Sequence, residues 1–228
     1  MSRPVQRPLV LSPYNAGVSV DITTGGVHIE SQRKKVAITG AGRTLRELPW
    51  HELDWEIWGL NNFWNALRDP SGRLRADRWF EIHPPTTDVQ DPHDMEWLRT
   101  CPVPIYTTEP FPENPNAITY PVNRIANKYR DYFSCTFAYQ IGLALDEGFE
   151  EIAVHGLELA LGTQREATVE RACLNWWLGY AEGCGVRITI PENDFVLSHF
   201  GRYGFEYWQE AKAVEQYCGT IAKRKLAE

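Results

Sequence analysis

The residues able to move protons or hold phosphate gather in this sequence just behind short β-rich runs. Gly40-Ala41-Gly42-Arg43-Thr44 follows Val36-Ala37-Ile38-Thr39, and Asn61-Asn62 follows Glu56-Ile57-Trp58-Gly59-Leu60. His83 closes the run Asp77-Arg78-Trp79-Phe80-Glu81-Ile82, Tyr106 to Thr108 closes residues 103–106, and His155-Gly156-Leu157-Glu158 closes Ile152-Ala153-Val154. Ser134, Cys135 and Thr136 stand at the start of a helical pattern. Ligands of open α/β sheets bind outside the carboxyl ends of the strands, so this small, polar set is the candidate pocket.

Its members carry different weights. Gly40 and Gly42 make a GxG, not a GxGxxG, and either a tight structural turn or a phosphate cradle would use it. A dinucleotide site also wants an acid at the second strand end to hold the ribose hydroxyls. Asn61 stands there instead, which disfavours NAD while still offering hydrogen bonds to a ribose or base. No Gly-Lys-Ser/Thr occurs, which argues against a P-loop. His83 and His155 can titrate near neutrality and serve as general acid or base, or simply cap or fill strand ends. Glu158 and Glu166 flank a polar loop and are the alternative acid/base groups. Asp91, His93 and Asp94 read as a solvated polar loop rather than a metal site, since no second constellation completes them. No GxSxG elbow is present.

The elements that position these groups alternate. Val18 to Ile22 and Val27 to Glu30 flank Thr23-Thr24-Gly25-Gly26, a hairpin signal. An isolated hairpin is marginal, so this one must dock on the body or on a second subunit. Thr44 is placed to cap a helical turn before Pro49. Pro104 leaves the fourth strand short or distorted. Residues 107–133 read as a long loop of the kind that forms lids. Phe137, Ala138, Ile141, Gly142 and Leu145 then share a helix face that Gly148 ends. Val169, Ala172, Cys173, Trp176, Trp177 and Tyr180 make an apolar stripe on a second helix, so the two tryptophans read as core. Val186 to Ile190 is a last strand, and residues 204–227 a final helix. The pattern predicts an α/β, Rossmann-like, mostly parallel sheet with helices on both faces. The expected division is an N-terminal extension over 1–32 and a nucleotide-binding domain over 33–228.

The 228-residue chain carries 23 Lys and Arg against 30 Asp and Glu, a net charge of −7, with no basic run longer than Arg33-Lys34-Lys35. Duplex binding, which leans on phosphate neutralisation, loses ground. Nine Trp and 12% aromatic residues suit a thick core or a site that stacks planar rings. Five cysteines without a CxxC read as reduced thiols. With no signal-like or membrane-spanning apolar run, the expectation is a cytoplasmic protein that does not enter membranes.

Taken together, the strand-end set resembles that of Rossmann-like bacterial sialyltransferases and, more widely, proteins that include archaeal hydroxymethyldihydropterin pyrophosphokinases; similar chains occur among uncharacterised bacteriophage proteins. The resemblance covers roughly residues 34–198 by pattern and is strongest from Ser134-Cys135-Thr136 through Glu158. It implies a transferase of glycosyltransferase type and a CMP- or UDP-type nucleotide-sugar pocket built from Gly40, Gly42, Thr44, Asn61, His83, Ser134, Cys135, Thr136 and Glu158. Those sialyltransferases carry a catalytic His in the loop before the helix that begins near Thr168; this sequence has Gln164-Arg165-Glu166 there. Acid/base work accordingly falls to His83, His155 or Glu166, and the acceptor is open: a nucleotide, DNA or a glycan. Two rivals stand beside this reading. One is metal-dependent diphosphate transfer or nucleotide hydrolysis, with a divalent cation at the strand ends. The other is a non-catalytic nucleotide-binding or assembly protein that forms homo-oligomers through the hairpin.

Overall fold

Seven parallel strands form the frame of the computed structural model, which describes residues 18–21, 28–69, 71–83, 92–157, 164–192 and 196. An antiparallel pair comes first, β1 (Val18–Asp21) and β2 (His28–Ser31), in which Val20 faces Ile29. Its turn lies outside the described residues. Ile29 is buried in the main apolar cluster, so the hairpin docks on the chain's own body. The parallel sheet follows with β3 (Lys35–Thr39), β4 (Trp55–Leu60), β5 (Arg78–Glu81), β6 (Ile105–Thr107), β7 (Ala117–Thr119), β8 (Glu151–His155) and β9 (Arg187–Thr189).

The strand order is β7-β6-β5-β4-β3-β8-β9. The chain steps outward from β3 to β7, then returns to lay β8 against the free side of β3. The order therefore reverses at the β3–β8 pair, the place where open α/β sheets open a crevice for ligands. β3 and β4 are buried along nearly their whole length, as strands covered on both faces must be.

Alternation sorts the side chains onto two cores. Val36, Ile38, Trp58, Leu60, Phe80, Ile152 and Val154 face α3 (Thr136–Asp146) and α4 (Gln164–Gly183). Ala37, Ile57, Trp79 and Ala153 face α1 (Pro92–Thr100) through Trp97 and Leu98. Trp177 on α4 is fully buried and donates its indole N–H to the Tyr132 carbonyl at 2.6 Å, as a core tryptophan should. Gly148, at φ 73°, ends α3 in the left-handed conformation.

Several local expectations change. Residues 107–133 are no loop: they contain β7 and α2 (Val122–Lys128), whose three and seven residues are too short to show periodicity. Pro92 opens α1, a favoured first helical position, so His93 and Asp94 are helical rather than loop residues. Pro104 precedes β6 and serves the sheet through its carbonyl, which accepts from Trp79 N–H at 2.8 Å. Thr44 caps nothing: the 3-10 turn Arg43–Glu47 begins at Gly42 without a side-chain cap. The expected helix over 204–227 lies outside the described residues.

At the amino ends of the strands, the foot of the sheet, three arginines and three acids are buried together. Arg78 meets Glu56 at 2.8 Å and Glu147 at 2.7 Å, while Arg33 and Arg75 each meet Asp77 at 2.9 Å. The Arg78 guanidinium also lies 4.8 Å from the Trp58 ring centre. Burial alone would raise the Glu56 carboxyl, but Arg78 and Arg33 outweigh it and hold the group below the ordinary range. Its contribution is thus complete above the unfolded-chain pKa of Glu and lost as pH falls through the lower folded value. Glu56→Ala is expected to cost about 3–5 kcal/mol in urea unfolding near neutral pH, because it strands buried cations. The deficit relative to the parent should shrink on strong acidification; a deficit independent of pH would contradict this.

Candidate functional site

The floor of the site is the contact between two strand-end turns. Gly40 N–H, after β3, donates to the His155 carbonyl at 2.8 Å, and Gly42 N–H donates to the Gly156 carbonyl at 2.8 Å. Gly156 N–H returns a bond to Thr44 Oγ1 at 2.6 Å. The backbones are so close that a Cβ on Gly40 would stand 2.3 Å from the Gly156 oxygen. Gly156 has φ 72°, and a Cβ there would meet the Gly40 oxygen at 2.9 Å. The glycines of the GxG are thereby accounted for by turn packing. The Gly40 and Gly42 amides are spent on the His155 and Gly156 carbonyls.

Above this floor lies a cleft of about 440 Å³, within the range of small-molecule sites. Gly40, Ala41 and Gly42 form one wall, Leu60, Asn61, Ile82 and His83 the next, and residues 133–137 with Gly156 and Leu157 the far side. Phe63, Phe133, Phe137 and Tyr139 add aromatic surface, and Glu170 of α4 adds an acid.

Three features give the cleft chemical direction. First, α3 starts here: Cys135 is its N-cap, with extended backbone and no side-chain cap. The amides of Thr136 and Phe137 have no acceptor within their own helix, and the helix dipole adds positive potential, so this end suits an anion.

Second, Asn61 holds a left-handed backbone, φ 48°, the one positive-φ residue other than glycine among those described. Its N–H donates to the Phe80 carbonyl at 2.9 Å, and its carbonyl accepts the Trp79 indole N–H at 3.0 Å. Gly59 permits this, since a Cβ there would stand 2.1 Å from the Trp79 ring. The Asn61 side-chain oxygen is shielded from solvent and accepts no hydrogen bond among the described residues.

Third, His83 Nδ1 lies 2.8 Å from Glu81 Oε1, whose side chain is 7% exposed against 59% for the histidine. In a neutral ring whose Nδ1–H donates to this carboxylate, Nε2 carries the lone pair.

Of the residues singled out in the sequence, Gly40, Gly42, Asn61, His83, Ser134, Cys135 and Thr136 are brought together at this cleft. Thr44 is buried beneath it. His155 is buried at the end of β8 on the face of Ala37 and Ala153, and does not line the cleft. Glu158 lies outside the described residues. Glu166 lies on α4, one turn before Glu170. Sequence reasoning missed Glu81, Trp79 and Glu170. Period-two spacing in a strand places Glu81 on the side of His83, and that signal was available. The remaining two depend on contacts between distant segments. No group of three or more His, Cys, Asp or Glu among the described residues could hold a metal ion.

No family model matches the sequence, and no curated protein matches it. Among solved structures the chain is similar to sialyltransferases of Campylobacter jejuni. The CstII enzyme in complex with cytidine-5'-monophosphate shares 14% identity, covering 73% of this chain and 83% of that one, at a TM-score of 0.47. The monofunctional α-2,3-sialyltransferase Cst-I shares 14% identity over 86% of this chain and 96% of that one, at a TM-score of 0.46. Likenesses this distant assign neither substrate nor site residues. The sheet order and flanking helices by themselves define an α/β, Rossmann-like protein with a cleft at its switch point.

Thr44→Val removes the acceptor of the buried Gly156 amide and is expected to cost about 1–3 kcal/mol. Gly40→Ala should cost at least as much, through the forced separation of the two turns. Chemical unfolding reads both, and an unchanged midpoint for either would contradict the interlocked-turn description.

Proposed function

We propose that the chain is a glycosyltransferase that takes a nucleotide-activated sugar, with the nucleotide seated in the strand-end cleft. The observation that carries this reading is the pairing, in one aromatic-lined cleft, of an α3 start without a side-chain cap and Asn61, whose amide oxygen has no hydrogen-bond partner among the described residues. The α3 amides suit phosphate oxygens. Asn61 Oδ1 suits an N–H or hydroxyl donor on the base or ribose, and the aromatic rings suit a planar base.

The chemistry then needs one base and one stabilised leaving group. His83 Nε2 accepts the proton of an acceptor hydroxyl as its oxygen bonds to the anomeric carbon, and Glu81 supports the resulting imidazolium. The bond from that carbon to the donor phosphate breaks, and the nucleotide leaves with its charge met by the α3 amides. Glu170 is a second acid/base group on the opposite wall, in the role first given to Glu166. His155, buried away from the cleft, is assigned no step. No step is routed through a divalent cation.

Isothermal titration with CMP, UDP and their sugars tests the reading. One nucleotide should bind, and Asn61→Ala should weaken it roughly tenfold, the loss of one well-aligned hydrogen bond. Failure of every nucleotide to bind, or an unaffected Asn61→Ala, would sink the proposal. His83→Ala should leave nucleotide affinity within about twofold while lowering transfer to a hydroxyl acceptor by roughly 10²–10⁴.

A further inference from the structure

Among the buried residues of α3, Gln140 alone has a polar side chain, and it is fully enclosed. It lies one turn after Thr136 and donates through Nε2 to the Gly59 carbonyl of β4 at 3.3 Å. Its other amide atom, Oε1, is shielded from solvent and accepts no hydrogen bond among the described residues. Gly59 stands two residues before Asn61, and its neighbours Trp58 and Leu60 belong to the apolar layer that α3 covers. The Gln140 amide thus crosses that layer to reach the strand backbone.

Burying an amide with an unpaired oxygen is unfavourable. Methionine, unbranched and of similar length, would fill the space with no amide to satisfy. What the amide adds is direction. Phe137, Ile141 and Ala144 hold α3 on the sheet through apolar contacts, which tolerate a small slide along the helix axis because they are non-directional. A hydrogen bond to one backbone oxygen does not tolerate it. Other polar ties on α3 point elsewhere. Glu147, its C-cap, meets Arg78 at 2.7 Å at the foot of the sheet, and the Tyr139 carbonyl accepts the Tyr120 hydroxyl at 2.7 Å from beyond β7. Gln140 is the tie to the strand that ends at Asn61.

We propose that Gln140 is a positioning residue. Its bond to Gly59 sets the start of α3 relative to Asn61, so that the helix amides and the Asn61 side chain meet one nucleotide together. The consequence for the nucleotide rests on the function proposed above; the hold on α3 does not.

Gln140→Met tests this with two readouts on the full chain. Hydrogen exchange followed by mass spectrometry should show residues 137–143 exchanging roughly tenfold faster than in the parent, with β3, β4 and β8 unchanged. Isothermal titration with CMP, or with UDP if the parent prefers it, should show affinity lowered roughly fivefold, as expected when hydrogen bonds to a charged group lose alignment. The urea midpoint should stay near that of the parent, because the unpaired oxygen leaves together with the bond. Unchanged exchange over α3 would overturn the proposal. So would exchange quickened alike in α3 and the strands, which would make Gln140 a packing residue only. An unaltered affinity beside a parent that binds the nucleotide would overturn it as well. A parent that binds neither nucleotide contradicts the proposed function instead, and the exchange result then decides the role of Gln140 by itself.

Discussion

The closeness of the turns after β3 and β8 is the constraint on which the rest of this molecule depends. The strand order reverses between these neighbours, so their two chains leave the sheet side by side in opposite directions. Bringing the backbones into hydrogen-bond contact there demands glycine at positions 40 and 156, and Thr44 ties the returning amide. The outcome is a floor of backbone and one small side chain, Ala41. The cleft exists because that floor is low while the flanking strand ends, at Asn61 and His83, and the α3 start rise around it.

Charge is distributed to the same end. The buried arginines and acids cluster at the foot of the sheet, where they join β4, β5 and the end of α3. β4 and β5 therefore begin in a neutralised ionic network and end at a surface whose polarity comes from helix amides, an amide side chain and a histidine. Such a surface meets an anion without a standing pool of basic side chains, which is consistent with a chain of net charge −7. Trp79 links the two halves: its ring fills the space left by Gly59, and its N–H holds the strained Asn61 backbone in place.

Much of this was legible in the sequence. β3, β4, β5 and β8 stood out as apolar runs closed by polar residues, and the rule that ligands bind at strand ends led to seven residues that do line the cleft. The GxG was visible too, but its meaning was not. Gly40 and Gly42 answer to Gly156, more than a hundred residues away, and no local pattern encodes that partner. β7 and α2 escaped because elements of three and seven residues carry too few side chains to reveal a period. The Glu81–His83 pair was readable from strand alternation, whereas Trp79 with Asn61 arises only from packing.

In the proposed reading, phosphate sits at the start of α3 rather than on the glycine turn. A crystal structure of the chain with CMP bound decides the matter. The account predicts phosphate oxygens within hydrogen-bond distance of the Thr136 or Phe137 amides, with Asn61 Oδ1 accepting from the nucleoside. Phosphate held by the turn over residues 40–42, or a nucleotide seated outside the cleft, would contradict it.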